Sequence, residues 1–520
     1  MLRRLSRLGQ ISPRSRRDSL QPDPMSPLGG VPPLLPPNQP ERKAIWLDAD
    51  PGHDDAIALL IALHHPDLEL LGVSTVAGNA SGRDTFLNAV RLMAAYRAPT
   101  HIPLIRGADE PLVKQSKVDV GIHGEGGLGG VQGLPPLSSP LCQNWLHPTQ
   151  PRTSSPSTSP EPALFLHTLS NLITDRLSNN KPPIHLAVTG PLTNAALFVK
   201  CYPHLLKGIA QIVIMGGAAG VRGNRAPLAE FNIMNDPEAA SIVFDADIKV
   251  VMAGLNVTHQ AIFTAELHDR LLSSSKRRPS QNQVIQSDPT PPTSNQTTVS
   301  ELKKLLSSIL TFFAKTYASE FGFTRGPPVH DMLAIVYIID PTIFHRRVPS
   351  PGDLPCNHLF DSDPYAYKDH YHPFHRSPSP EREGEKEEVP ITTHPEGKPT
   401  SSSPLENRDD PDQPFSSSST STSSSSPPSS PLHLVPAHPP KRYNVQVETS
   451  SSSLACGATV VDFWGDSVQH QGWSRGGRNV EVLENLDCPR LWHLFFQVVQ
   501  RAEDHLERWE SDNLAVPTGR

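Results

Sequence analysis

Short apolar runs alternate with longer stretches of helical periodicity through most of the chain. The first run, Ile45-Trp46-Leu47, predicts a buried strand. Pro51 and Gly52 then force a turn, and Asp54 and Asp55 open an apolar helix, where carboxylates suit the positive end. Residues 70–76 form the next strand and end in Ala77-Gly78-Asn79; residues 84–97 repeat at helical spacing, and 102–106 form a third strand. The alternation resumes with a helix over 163–177, a strand over 184–188, and a turn from Thr189 to Asn194 that leads into another helix. A strand over 211–215, a helix starting at Asp236-Pro237 and a strand over 249–252 follow. Helices are predicted over 300–319, 332–339 and 491–507, and short strands over 443–448, 459–463 and 480–483. The late strands are expected to join the same domain, because nothing else would cover their apolar faces. Strands alternating with helices imply an α/β fold, a mostly parallel open sheet flanked by helices in a Rossmann-like arrangement. Such sheets bind ligands beyond the carboxyl ends of their strands, where Asp50 and Asn79 both fall.

Polar, proline-rich tracts interrupt the pattern. Residues 1–40 are a basic arm, 41–510 a single domain, and 511–520 a tail, with insertions at about 138–160, 275–298 and 349–440. These tracts have too little apolar surface to offset their chain entropy, so disorder is expected. The arginines of the arm faintly resemble a mitochondrial presequence, but prolines from Pro13 onward favour a plain disordered arm. The 56 prolines and 37% hydrophobic content fit a core smaller than the 520 residues would allow. A net charge of −7 gives no case for nucleic acid. Five scattered cysteines point to a reducing compartment, the cytosol, and no apolar run reaches membrane-spanning length.

The chemistry concentrates in the first loop, which carries Asp48, Asp50, Asp54 and Asp55. Four acids this close raise one another's pKa values unless a cation compensates, and an all-oxygen site favours calcium or magnesium. An EF-hand counted from Asp48 fails, since His53 and Leu59 stand where Gly and Glu are required. An aspartyl-phosphate phosphatase using Asp48 as nucleophile is the alternative, although Gly52 stands where that class carries Thr or Val. The glycine-rich segment around His123 contains a literal G-x-G-x-x-G, yet the flanking Pro135 and Pro136 disfavour a dinucleotide site. It is expected to be a mobile loop over a pocket, with His123 as a polar contributor. Asn224, Glu230 and Asn232 place three hydrogen-bonding side chains within nine residues, a set that suits paired hydroxyls. His330-Asp331 at a helix start offers a proton donor and a further anionic oxygen.

Six motifs occur in order: Asp48-x-Asp-Pro-Gly-x-Asp-Asp, Ala77-Gly-Asn, His123-Gly-x-x-Gly-Leu, Leu192-Thr-Asn, the Met215-Gly-Gly to Asp236-Pro-Glu-Ala block with its Ala-Glu-Phe-Asn, and Val329-His-Asp. Together they resemble the inosine–uridine-preferring nucleoside hydrolase family, including fungal uridine-type nucleosidases. The resemblance implies calcium-dependent hydrolysis of the N-glycosidic bond of ribonucleosides to ribose and free base. Carried over by motif, Asp50, Asp55, Asp331 and the main-chain carbonyl of Thr193 would hold Ca²⁺, and Asp50 would activate the attacking water. Asp54, Asn79, Asn224, Glu230 and Asn232 would grip the ribose, and His330 and His123 would face the leaving base. Asp48 would orient its neighbours. The family also implies a homo-oligomer, dimer or tetramer. A non-catalytic nucleoside-binding protein is the third possibility.

Overall fold

A computed structural model describes residues 42–147, 162–273, 299–345, 438–464 and 479–514. The expected insertion at 275–298, that at 349–440 up to residue 437, the arm, the tail beyond 514 and most of the 138–160 tract lie outside the described residues.

Among the described residues, nine strands form one sheet: β1 (Lys43–Ala49), β2 (Leu68–Thr75), β3 (Leu104–Arg106), β4 (Ile184–Val188), β5 (Ile209–Met215), β6 (Val250–Ala253), β7 (Lys441–Val447), β8 (Thr459–Asp462) and β9 (Val480–Val482). Their order is β3-β2-β1-β4-β5-β6-β9-β7-β8. Every pair from β3 through β9 is parallel, and the antiparallel β7 and β8 finish one edge. The late strands therefore complete the main sheet, as their uncovered apolar faces require.

The helices are α1 (His53–His64), α2 (Gly82–Ala95), α3 (Val120–His123), α4 (Pro140–Leu146), α5 (Pro162–Ser178), α6 (Thr193–Cys201), α7 (Phe231–Asn235), α8 (Pro237–Phe244), α9 (Leu255–Thr258), α10 (Ala265–Leu272), α11 (Glu301–Phe321), α12 (Met332–Ile339) and α13 (Cys488–Leu514). They divide between the two faces of the sheet. One core cluster gathers α1, α2, α12 and α13, and the other gathers α5, α6 and α8. Helices α1 and α12 are apolar almost all round because each is buried under later layers.

Two expectations change. Residues 138–147 are not linker: Ser139 caps α4 by accepting the Cys142 N–H, and Pro140 takes its first turn. Cys142 and Trp145 are buried there in the α2 core. The glycine-rich segment is also not plain loop. It holds α3 and a single 3₁₀ turn over Glu125–Gly127, with Gly124, Gly126, Gly127 and Gly130 at positive φ.

Strand order reverses direction between β1 and β4, the neighbours from which the chain winds outward both ways. A crevice opens at such a switch point beyond the carboxyl ends of the strands. Asp50 follows β1 and Thr189 follows β4.

Candidate active site

The carboxyl ends of β1 and β4 and the first turns of α1 and α12 converge on a polar cavity. Its wall includes Asp54, Asn79, His123, Thr189, Asn224, Glu230, Asn232, Tyr317, His330 and Asp331. Asp50 and Asp55 lie directly behind: Asn79 donates from its main-chain N–H to Asp50 Oδ2 at 2.8 Å and from Nδ2 to Asp55 Oδ2 at 3.1 Å. Asp55 also accepts the Gly52 N–H at 2.9 Å and the Thr189 hydroxyl at 2.8 Å. Glycines make the room. A Cβ on Gly78 would meet Asp50 Oδ2 at 2.1 Å, and one on Gly190 would meet Asp50 Oδ1 at 2.7 Å.

Carboxylate oxygens of Asp54, Asp55 and Asp331 lie within 4.8 Å of one another, so their charges repel unless protons or a cation are shared among them. Burial, then the charge of Asp55, pushes the Asp54 pKa up to about 8. Burial raises Asp55. Burial followed by the charges of Asp54, Asp55 and Asp50 lifts Asp331 well above the usual carboxylate range. Asp50 is raised likewise, by burial and by Asp55. Its Oδ1 is buried without a hydrogen-bond partner. A vacant, buried carboxylate oxygen beside three more carboxylates is a donor set that fits a hard divalent cation.

The expected site residues mostly assemble, with three differences. Thr193 lies in the first turn of α6, its carbonyl committed to the helix and its hydroxyl donating to Asp236 at 2.6 Å. Thr189 is the threonine at the cluster, and its carbonyl accepts from Asn232 Nδ2 at 2.8 Å. Second, Asp54 stands in the tight carboxylate group while Asp50 sits beside it. Third, both ring nitrogens of His330 are engaged: Nε2 with the Tyr317 hydroxyl at 2.7 Å and Nδ1 with the Thr258 hydroxyl at 2.8 Å. Tyr317 and His330 thus reach the cavity wall as a hydrogen-bonded pair. The only mark of Tyr317 in the sequence is a place among the aromatic residues of α11, which reads as core.

Asp48 does not line the cavity. Ser74 and Asn194 both donate to its Oδ1, at 2.5 and 2.8 Å, while its Oδ2 is buried without a hydrogen-bond partner; its place outside the cavity wall is what removes support from its use as a nucleophile. Glu230 caps α7 by accepting the Asn232 and Ile233 N–H groups and also accepts the Gly217 N–H; burial raises its pKa to about 7. Asn224 Oδ1 accepts the Phe231 N–H at 3.0 Å. Asp119, a wall residue not foreseen, pairs with the Arg225 guanidinium and ties the His123 segment to the Asn224 loop. Asn88 stitches the same segment to the acidic loop, donating to the Pro51 and Gly126 carbonyls.

A carboxylate floor under a polar cavity, at the switch point of a parallel sheet, places the chain among hydrolases that cleave N-glycosidic bonds of ribonucleosides. It belongs to the inosine-uridine preferring nucleoside hydrolase family, whose model matches residues 45–493. It is 38% identical over 301 residues to the pyrimidine-specific ribonucleoside hydrolase RihA of Salmonella paratyphi A, covering 58% of this chain and 80% of that one. A probable ribonucleoside hydrolase of Dictyostelium discoideum is 34% identical over 321 residues, 61% and 84% of the two chains. The fold is similar to that of the purine-preferring ribonucleoside hydrolase from Gardnerella vaginalis, with a TM-score of 0.53 at 20% identity over 88% of this chain and 99% of that one. An inosine-guanosine nucleoside hydrolase gives a TM-score of 0.54 at 21% identity, with 88% and 99% covered.

Proposed function

We propose that the chain hydrolyses pyrimidine ribonucleosides, uridine foremost, to ribose and free base, with Ca²⁺ as its resident cation. The observation that carries this reading is the convergence of Asp50, Asp54, Asp55 and Asp331 beneath a cavity walled by Asn79, Asn224, Glu230 and Asn232. Asp50, Asp55, Asp331 and the Thr189 carbonyl would hold the ion. When bound, it lowers the pKa of water.

The chain's own groups do the rest. Asp50, with one oxygen fixed by Asn79 and the other free, is the base that takes the water's proton. Asp54 and Asn79 grip the ribose from the α1 side, and Asn224, Glu230 and Asn232 from the other. Glycosidic cleavage passes through an oxocarbenium-like transition state, and these anionic oxygens stabilise its positive charge. If Thr258 donates to His330 Nδ1, His330 Nε2–H donates to the Tyr317 oxygen. That leaves the Tyr317 proton free for the departing base, with His123 on the same wall. Exclusion of water from this buried wall strengthens each of these interactions.

The pyrimidine preference rests on the family members near 38% identity, which are described as pyrimidine-specific. Base release from uridine, cytidine, inosine and adenosine, measured with calcium present, tests it. The expected kcat/KM for uridine exceeds that for inosine by about tenfold or more. A purine preference would refute the assignment of the base.

A further inference from the structure

His53 is fully buried one residue before the metal-compatible aspartates, and no step above uses it. Its ring lies parallel to those of Phe312, at 4.8 Å and 7°, and Phe313, at 5.7 Å and 2°. Its Nε2 is 3.2 Å from the Gly129 carbonyl. A carbonyl only accepts, so this nitrogen carries the proton and Nδ1 is bare. Gly129 in turn donates its N–H to the His123 carbonyl at 2.9 Å, so His53 clamps the turn that carries His123.

The two histidines also meet directly. His123 Nδ1 lies 3.3 Å from the His53 main-chain nitrogen and 3.4 Å from His53 Nδ1. The main-chain N–H opens α1 and is a permanent donor at the positive end of the helix. His53 Nδ1, being bare, has no proton to offer. A nitrogen that accepts a hydrogen bond carries no proton of its own, so the His123 proton resides on Nε2. The Nδ1–Cε1 edge of His123 lies against Gly52, where a Cβ would come within 2.4 and 2.8 Å of it. Nε2 is the ring nitrogen left for the cavity that His123 lines.

We infer that His53 is a positioning residue, which holds His123 as the Nε2–H tautomer so that it donates to the carbonyl oxygen of a departing pyrimidine. The inference rests on the function proposed above. The opposite tautomer would place the proton between the two Nδ1 atoms, orphan the His53 N–H and offer the base a lone pair, which a carbonyl oxygen repels.

The experiment has two arms, both on the full calcium-loaded chain. Two-bond ¹⁵N–¹H correlation of the ¹⁵N-histidine protein, with His123 assigned by its absence in His123→Gln, reads the tautomer directly. The expected pattern is Nε2-protonated; an Nδ1-protonated His123 overturns the inference. In the second arm, His53→Phe keeps a flat ring against Phe312 and Phe313 but loses the Gly129 bond. Its kcat on uridine is expected to fall about tenfold or more at little-changed KM, while a nitrophenyl riboside, whose leaving group departs without a donor, changes by less than about threefold. His53→Gln, which can donate to Gly129 again, recovers most of the uridine rate. Equal losses on both substrates in a His53→Phe protein that still binds calcium would make the residue merely structural and overturn the inference. Failure of the wild type on uridine and the nitrophenyl riboside alike would refute the proposed function instead, with the tautomer still readable from the spectrum.

Discussion

Asp48 and Asp50 stand two residues apart on one strand end, yet their surroundings give them different work. Each keeps one buried oxygen without a partner, but the other oxygen of Asp48 accepts from Ser74 and Asn194, whereas that of Asp50 accepts the main-chain N–H of Asn79, a wall residue of the cavity. Asp50→Asn should therefore lower kcat on uridine by about 10²-fold or more, the usual scale for a lost general base. Asp48→Asn should retain turnover while lowering Tm, since it weakens a buried hydrogen-bonded group at a cost of about 1–3 kcal/mol. Parallel kinetics and thermal melts of the two variants check this; an inactive but well-folded, calcium-binding Asp48→Asn would revive the phosphatase alternative. At this scale the acids were legible because four carboxylates in eight residues demand a cation. Thr189 and Tyr317 were not. A main-chain carbonyl leaves no trace in residue type, so Thr189 and Thr193 in one turn were indistinguishable, and Tyr317 hides in an aromatic stripe.

The elements that matter most are the ends of strands and the glycines packed beside them. Gly78 lies just past β2, and a methyl there would press on the carboxylate of Asp50. Gly78→Ala is expected to weaken calcium binding at least about tenfold, the equivalent of 1.4 kcal/mol, with the sheet intact. Isothermal titration with calcium and far-UV circular dichroism measure both; unchanged affinity would remove Asp50 from the ion's surroundings. The strands and long helices followed from hydrophobic periodicity because burial on one or both faces fixes it. Helices α3, α4 and α10 were missed for a physical reason. They are short: Asp119 and Ser139 cap α3 and α4, α10 has no side-chain cap, and each buries only one or two side chains, such as Cys142 and Trp145 of α4. A Ser-Pro-rich composition around α4 masked its Ser139-Pro140 start.

Across the whole molecule, the buried acids couple stability to pH. Without a cation, Asp54 keeps its proton up to about pH 8 and Asp48 up to about 7, while the unfolded chain releases them near 3.8. The folded state then binds more protons, so this contribution is fully present below about pH 4 and is lost as pH rises through 7 to 8. Buried His53, His64, His185 and His259, lowered to about 4, act in the opposite sense. Their effect ends near pH 6.5, above which the unfolded histidines are neutral too. Between pH 6.5 and 8 the chelated protein should lose Tm as pH rises, and the Tm gained on adding calcium should grow. Scanning calorimetry across that window checks the sign, and a calcium increment that shrinks with pH would contradict it. Among the described residues no helix is long and apolar enough to cross a membrane.

The most direct measurement follows free uracil and ribose from uridine by chromatography, first with protein stripped by chelator and then after calcium is returned. The predicted result is negligible release from the stripped protein and restored turnover with calcium. Undiminished release after stripping, or no release by folded, calcium-loaded protein, would contradict the claim that these aspartates hold a cation for glycosidic hydrolysis.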